Sequence, residues 1–254
     1  MMKIDVKRVL IVGDLHGDDT FTSKCFGEAH KKSADAILQV GDFGHWPRNG
    51  KCGFEGCVAR CTVNYGITFY WLPGNHENYD SIDQFEPGPD GTTQVAHNVF
   101  YLPRGYSWDW NGKKFLACGG AISIDQYHRT LGKDWWPQEQ IQPKDLEACY
   151  NVGKVDYLFT HEAPFEKISD IDDRYTSKWL GESMENNCLW QRKAVGSIID
   201  ICQPSEMFHG HHHVRYDRDF STSGGVCKVH GLGANVGRSV DLATYLLDLS
   251  EGVQ

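Results

Sequence analysis

Side chains of the types that bind transition metals follow five short apolar runs along this chain. The seven residues are Asp14, His16, Asp42, Asn75, His161, His211 and His213. The first two and the last two are each separated by one residue, a spacing that points both side chains to the same side of an extended backbone. Carboxylate, imidazole and carboxamide ligands without thiolates suit Mn, Fe, Zn or Ni, and not Ca²⁺ or a structural zinc ion. Seven ligands suffice for two ions that share a carboxylate about 3.5–4 Å apart, an arrangement used for displacement at phosphorus.

Each of these residues also has an ordinary structural interpretation. Asp14 and Asp42 follow glycines and are typical of turns or helix caps, and Asn75 follows a Pro-Gly turn signal. The HGHHH cluster that begins at His209 is also typical of a surface patch that scavenges metal. The repeated position after apolar runs favours one shared site, and the spacing within the cluster leaves His209 and His212 as non-ligands.

The apolar runs that precede these residues have the composition of β-strands. Runs of this kind, rich in Val, Ile, Phe and Tyr and closed by Gly or Pro, predict strands at Arg8–Val12, Ala36–Val40, Ile67–Leu72, Val155–Phe159 and, more briefly, Glu206–Phe208. Apolar residues at helical spacing predict helices at Thr20–Ser33, Glu55–Asn64 and Ser183–Cys202. Alternating strands and helices favour an α/β layered domain, in which ligands collect at the carboxyl ends of the strands.

Later segments indicate that the sheets are mixed and not fully parallel. Asn111-Gly112 supplies the positive φ angles of a tight hairpin turn between Tyr106–Trp110 and Lys113–Cys118. The segments Val226–Gly231 and Val240–Leu247 are also strand-like. We therefore expect a pair of mixed sheets with helices on the outside.

The stretch from residue 121 to residue 150 interrupts this pattern. We interpret it as a long loop with little regular structure, lying near the end of the domain that carries the site. Its Trp135 and Trp136 are interpreted as packing residues, with base stacking as the alternative. Residues 1–254 are treated as a single domain that contains this loop insertion.

The composition excludes several classes of function. With a formal net charge of −9, the chain is not expected to coat long nucleic acid or an anionic membrane. No apolar stretch approaches the roughly 20 residues that span a bilayer, and the first residues lack the pattern of a signal peptide. Nine cysteines without a dense framework indicate free thiols in a reducing cytoplasm.

The five motifs, in this order, resemble those of the calcineurin-like metallophosphoesterase superfamily. The family pattern is D-x-H, GD, GNH, a single H and GHxH. The matching residues are Asp14-Leu15-His16, Gly41-Asp42, Gly74-Asn75-His76, His161 and Gly210-His211-His212-His213. The stretch Gly119–Asp125 (GGAISID), followed by Arg129 and Trp135-Trp136-Pro137, is similar to members encoded by bacteria and phages. The resemblance implies a four-layer α/β/β/α double-sandwich fold.

The resemblance also implies a role for each motif residue. One metal ion would take Asp14, His16, Asp42 and His213, and the other would take Asp42, Asn75, His161 and His211. Asp42 would bridge the two ions, and a hydroxide between them would attack phosphorus in line. His76 would protonate the leaving oxygen as a general acid. Mn²⁺ is the favoured metal, with Fe, Zn and Ni as the alternatives.

One departure from the family pattern narrows the substrate. Protein serine/threonine phosphatases carry GDxVDRG at the second motif, whereas this chain has GDFGHWPRNG, with His45 in place of their aspartate. We therefore expect a small phosphodiester or nucleotide, including cyclic nucleotides. A phosphomonoesterase or protein phosphatase, and a non-catalytic scaffold with the same fold, are the alternatives. His45 is expected to support a ligand or to contact substrate, and Arg48 and Arg129 to contact its phosphate.

Overall fold

Two six-stranded sheets pack face to face, with helices against both outer faces. The computed structural model describes residues 5–47, 53–165, 171, 181–237 and 239–250. The strands are β1 (Arg8–Val12), β2 (Ala36–Gln39), β3 (Thr68–Trp71), β4 (Thr93–Ala96), β5 (Val99–Tyr101), β6 (Tyr106–Trp110), β7 (Lys113–Cys118), β8 (Tyr157–Thr160), β9 (Glu206–His209), β10 (Tyr216–Thr222), β11 (Gly225–Gly231) and β12 (Thr244–Asp248). The α-helices of the described residues include α1 (Asp19–Lys31), α2 (Phe54–Tyr65), α3 (Tyr79–Ile82), α4 (Pro143–Val152), α5 (Gly181–Cys202) and α6 (Val240–Ala243). Short 3₁₀ helices cover Gln126–His128 and Pro137–Glu139.

Both sheets are mixed, as the sequence predicts. The first sheet has the order β12-β1-β2-β3-β5-β4, in which the four inner strands are parallel and the two edge strands are antiparallel. The second sheet has the order β10-β11-β9-β8-β7-β6 and repeats the same plan. Parallel strands that are covered on both faces need continuous apolar sequence, which is what the five predicted runs provide.

The layer between the sheets combines aliphatic side chains with a row of stacked aromatic rings from the second sheet. The ring of Phe159 on β8 stacks on Phe115 of β7 at 5.8 Å between centroids and on Phe208 of β9 at 5.3 Å. Val9 and Leu38 of the first sheet belong to the same buried cluster. Burying large offset rings contributes most of the energy of such a layer. It also holds the strand ends of the two sheets in fixed relative positions.

The outer layers complete the four-layer α/β/β/α order that the resemblance implies. Helices α1 and α2 pack on the first sheet through buried side chains such as Phe26 and Val58. Helices α4 and α5 cover the second sheet, where Val195 and Ile198 of α5 join the same buried cluster as Leu158 of β8. Among the described residues, no helix combines the length and apolar character that crossing a bilayer requires.

Two segments differ from the sequence prediction. Residues 240–243 form helix α6, and only Thr244–Asp248 form a strand, so the predicted strand begins too early. Within the stretch 121–150, predicted as an irregular loop, residues from Pro143 onward form helix α4. That helix begins with a capping box between Gln142 and Asp145 and with a proline in its first turn. These are standard signals for the start of a helix, and the sequence prediction overlooked them.

Candidate metal centre

The predicted ligands gather at the carboxyl ends of five strands. They follow β1 (Asp14, His16), β2 (Asp42), β3 (Asn75), β8 (His161) and β9 (His211, His213). The two sheets are joined at this edge, because the His161 ring donates from Nδ1 to the carbonyl oxygen of Val40, 2.8 Å away. Strand ends from both sheets therefore open onto one crevice, as expected for an α/β arrangement.

The first group of potential ligands consists of Asp14, His16, Asp42 and His213. One ligand atom from each lies within 4.8 Å of the corresponding atoms of the others. Asp14 Oδ2 is 3.0 Å from His213 Nε2, and the Nε2 atoms of His16 and His213 are 3.2 Å apart. The donor atoms therefore converge on a single point, with the spacing that one cation requires.

The second group lies on the other side of Asp42. His161 Nε2 is 3.2 Å from Asp42 Oδ1 and 3.2 Å from Asn75 Oδ1. The ring of His211 lies next to that of His161, with 5.1 Å between the centroids, but its ligand atoms group with those of Glu162 and His212 and not with those of Asp42 and His161. Because Nδ1 of His161 is engaged by a backbone carbonyl, its Nε2 is fixed toward the crevice, an arrangement that is general among metal-binding histidines.

Asp42 contacts both groups. Its Oδ1 faces His161 and accepts the backbone N–H groups of Asn75 and His76, each at 2.9 Å. Its Oδ2 is 3.8 Å from His16 Nδ1 in the first group. Burial by itself would raise the pKa of Asp42, but the neighbouring imidazoles of His161 and His76 outweigh it and hold this pKa well below its usual range. The carboxylate is therefore ionised and directed to both sides of the crevice.

The backbone around these carboxylates leaves no room for larger residues. A Cβ atom on Gly74 would lie 2.1 Å from Asp42 Oδ1, and one on Gly210 would lie 2.1 Å from Asp14 Oδ1. The carboxylates of Asp14 and Asp42 are both buried, and a buried anion must be paired or bind a metal. The donor types, their convergence and the glycine cradle therefore fit divalent cations.

The local geometry differs from the extended backbone on which the sequence prediction relied. His16, His211 and His213 all have positive φ, at 47°, 65° and 56° respectively. The pairs Asp14/His16 and His211/His213 therefore lie in tight turns and not in strands. The prediction that an extended backbone points both side chains of each pair to the same side was wrong. Asp14, His16 and His213 nevertheless converge, because the turns bring them together from two different strand ends.

A further cluster next to His211 was not predicted. Glu162 Oε1 is 2.7 Å from His212 Nε2, and its Oε2 is 3.7 Å from His211 Nε2. These three residues also present ligand atoms within 4.8 Å of one another. His212, which the sequence assigns as a non-ligand, is buried against Glu162. Glu162 follows His161 directly in the sequence, and this position next to a predicted ligand could have indicated that Glu162 lies at the site.

His76 lies at the mouth of the crevice and contacts one of the predicted arginines. Its Nε2 is 3.9 Å from Asp42 Oδ2, and its Nδ1 is 3.2 Å from Nη2 of Arg129. Burial lowers the pKa of His76, Asp42 opposes this effect, and Arg129 adds to it. Arg129 also forms a 2.9 Å ion pair with Asp125. The structure thus brings Arg129 to the general-acid candidate, whereas Arg48 lies outside the described residues.

His45 is directed into the protein and not toward the ligands. Its ring bonds Glu55 through Nδ1 and Ser81 through Nε2, and it stacks on Trp71. The link between the second and third motifs is made instead by Glu77, whose carboxylate accepts the backbone N–H groups of Gly44 at 3.2 Å and Gly74 at 2.7 Å. Burial, reinforced by the charge of Asp42, raises the pKa of Glu77 to about 8.

The stretch after residue 120 reaches the crevice through Ser123. The hydroxyl of Ser123 accepts a hydrogen bond from Asn75 Nδ2 at 3.1 Å and donates to Glu139 Oε2 at 2.9 Å. No sequence pattern predicts this contact, because irregular backbone separates Ser123 from Glu139. Trp136 is buried and packs on Trp46, in agreement with the packing interpretation.

Comparisons with known proteins identify the family of the chain and agree with its fold. The sequence model described as calcineurin-like phosphoesterase matches residues 7–215. A dimetal phosphatase from Danio rerio superposes with a TM-score of 0.59 at 13% identity, covering 98% of this chain and 94% of that one. A protein from Thermus thermophilus superposes with a TM-score of 0.56 at 14% identity, covering 96% of this chain and 99% of that one. No curated protein matches the chain by sequence.

Proposed function

The chain belongs to the calcineurin-like phosphoesterase family, and we propose that it is a two-metal hydrolase of small phosphodiesters or nucleotides. Family membership and the candidate ligand clusters together support a metal-dependent phosphoesterase with a binuclear divalent centre. The substrate class and the role of each residue are the parts that we propose.

The proposal depends mainly on the position of Asp42. Its two carboxylate oxygens are directed to different groups of donors, Oδ1 toward His161 and Oδ2 toward His16. We assign one ion to Asp14, His16, Asp42 and His213, and the other to Asp42, Asn75, His161 and His211. When bound, such ions would supply a nucleophilic water at neutral pH and offset the negative charge that develops on the oxygens around phosphorus. Mn²⁺ is our favoured occupant, and Fe, Zn and Ni suit the same donors.

His76 is assigned as the general acid. Its backbone N–H donates to Asp42 Oδ1 at 2.9 Å, so the residue is tied to the proposed bridging carboxylate while its ring remains at the crevice mouth. The ring is 5.3 Å from that of His16, measured between centroids. A proton donor in this position can reach the leaving oxygen of a phosphate held over the crevice, which typically contributes about 10²–10⁴-fold to the rate.

Two residues of the segment 126–129, Arg129 beside His76 and the exposed Tyr127, favour a small substrate with one phosphate and an aromatic group. Arg129 offers a fork of N–H donors that suits phosphate oxygens. Tyr127, two residues earlier, is 70% exposed and can stack a nucleobase. With a net charge of −9, the chain has no general attraction for a long polyanion. These features favour a nucleotide or small diester over a nucleic acid polymer.

The proposal can be tested with metal-loaded protein on a panel of esters. The panel contains nitrophenyl phosphate, bis(nitrophenyl) phosphate, and the 2′,3′- and 3′,5′-cyclic nucleotides. We expect the highest kcat/KM on a diester and nearly complete loss of activity in Asp42→Asn, because both ions lose their shared ligand. Asp109→Asn, an exposed change on β6, is the matched control. Substantial turnover by Asp42→Asn would contradict the bridging role, and a preference for nitrophenyl phosphate over every diester would contradict the expected diester chemistry.

A further inference from the structure

The Asn75 carboxamide has two chemically different ends, and only one of them can bind a cation. Its Oδ1 is 3.2 Å from His161 Nε2, on the side of the second group, whereas its Nδ2 donates to Ser123 Oγ at 3.1 Å. A half-turn of the amide would present its N–H₂ group to the cation instead of its oxygen. Whatever holds Nδ2 therefore decides whether Asn75 can serve as a ligand.

Ser123 can hold Nδ2 only if its own hydroxyl proton is directed elsewhere. Glu139 meets this requirement, because its carboxylate accepts the Ser123 hydroxyl at Oε2, 2.9 Å away, and the Ser123 backbone N–H at Oε1, 2.6 Å away. When it is ionised, at pH values above about 7, this carboxylate is only an acceptor, so it fixes the direction of the whole chain of hydrogen bonds. The chain runs from Asn75 N–H to Ser123 and from the Ser123 O–H to Glu139.

A glutamate at position 139 is costly for folding alone. Ser123 and Glu139 are each only 1% exposed, and burial raises the pKa of Glu139 to about 7. A glutamine would fill the same space without the penalty of a buried charge. It would also present an N–H₂ group that can donate to Ser123 and reverse the hydroxyl. The carboxylate is therefore better explained by the direction of the hydrogen bonds than by packing.

We infer that Ser123 and Glu139 are positioning residues that hold the Asn75 oxygen toward the second ion. The inference rests on the proposed function, in which Asn75 is a ligand of that ion only. It gives the irregular part of the stretch 121–150 a definite task, since it carries both residues to the back of the metal centre. Outer-shell partners of this kind typically contribute about 10–100-fold to metal affinity.

Titration of the metal-free protein with Mn²⁺ tests this inference by calorimetry and by EPR, in which a coupled pair and a single ion give different spectra. For wild type we expect two binding events and the spectrum of a coupled pair. Ser123→Ala and Glu139→Gln should keep the first event and weaken the second by about 10–100-fold. At the same Mn²⁺ concentration, their spectra should be those of a single ion. The matched control is Ser197→Ala, which loses the hydroxyl bonds to Tyr150 and to the Ala194 carbonyl oxygen on another face of the protein.

The outcomes distinguish a failure of the positioning role from a failure of the proposed two-metal function. If wild type binds two ions and both variants bind them unchanged, the positioning role is wrong while the two-metal centre stands. If both ions are weakened equally, the residues support the fold in general, and the inference is again wrong. If wild type binds fewer than two ions, the two-metal function fails and the inference fails with it. If Glu139→Gln does not fold, the Mn²⁺ titration of Ser123→Ala alone tests the positioning role.

Discussion

The largely buried side chain of Arg104 connects the stretch 121–150 to the rest of the protein. Its Nη1 donates to the Gln140 carbonyl oxygen at 3.0 Å and to Asp145 Oδ2 at 3.1 Å. Its Nη2 donates to the carbonyl oxygens of Gln138 and Glu139, both at 2.8 Å, and to Tyr79 Oη at 3.0 Å. Tyr79 in turn donates to the carbonyl oxygen of Gly74, next to the proposed ligand Asn75. We therefore predict that Arg104→Met destabilises the protein and loosens the support of the metal centre.

The size of the effect follows from what the substitution leaves behind. Methionine fills the volume of the aliphatic stem, so packing changes little. The Asp145 carboxylate, which is 11% exposed, would lose its ion-pair partner together with the hydrogen bond. Removing one member of a buried ion pair typically costs about 3–5 kcal/mol. The three carbonyl groups add to this cost where water cannot reach them. We expect a loss of about 4 kcal/mol, which for a domain of this size lowers Tm by roughly 10 °C.

Urea denaturation of the metal-free protein measures this loss directly. The control is Arg8→Met, because Arg8 pairs with Asp248 at 2.9 Å but is 42% exposed. Exposed pairs are worth about 0–1 kcal/mol. An unchanged dependence of the unfolding free energy on urea would show that both variants unfold as wild type does. If Arg104→Met loses no more stability than Arg8→Met, the network does not anchor the stretch, and the reasoning is refuted.

Two further predictions concern His76 and Glu139. His76→Gln should lower kcat/KM by about 10²–10⁴-fold on esters with poor leaving groups and far less on nitrophenyl esters, whose leaving oxygen needs no proton; equal losses on both would contradict proton donation. For Glu139, the folded-state pKa of about 7 exceeds the unfolded value near 4.5, so its stabilising contribution is present below pH 4.5 and is lost as the pH rises through 7. The unfolding free energy of metal-free wild type, relative to Glu139→Gln, should fall by about 3 kcal/mol between pH 4.5 and pH 8; a constant difference would contradict the raised pKa.

Local patterns in the sequence were sufficient to predict most of the central strands and one hairpin, but not β4, β5 and β10. The central strands are short apolar runs because both of their faces are covered, and Asn111-Gly112 fixes a hairpin turn through its backbone preference alone. Parallel strands end at the same edge of a sheet. The residues that follow them therefore lie close together for a wide range of loop conformations. The gathering of Asp14, Asp42 and His161 could therefore be predicted without knowledge of any side-chain contact.

Contacts between distant, irregular segments could not be predicted in the same way. The link from Asn75 through Ser123 to Glu139 joins three segments that are far apart in the sequence, and none of the three residues belongs to the apolar pattern of a strand or an α-helix. His45 illustrates the converse, because its place in the second motif suggested a role at the site. Its ring instead bonds Glu55 of helix α2. A motif fixes the position of the backbone, whereas the side-chain direction depends on neighbours that are remote in sequence.

The backbone conformation of the metal centre explains why its geometry differs from the prediction. Of the eight described non-glycine residues with positive φ, four are proposed ligands: His16, Asp42, His211 and His213. A left-handed conformation costs roughly 1–2 kcal/mol for a residue with a Cβ atom. Such strain persists only where surrounding contacts determine it, and here the backbone N–H groups of Leu15 and His16 both bond the carbonyl oxygen of Asp42. In an extended backbone His16 would follow the line of its strand, whereas in the turn it reaches across to the donors from the second sheet. The strain is thus the local cost of bringing ligands from two sheets within reach of the same ions.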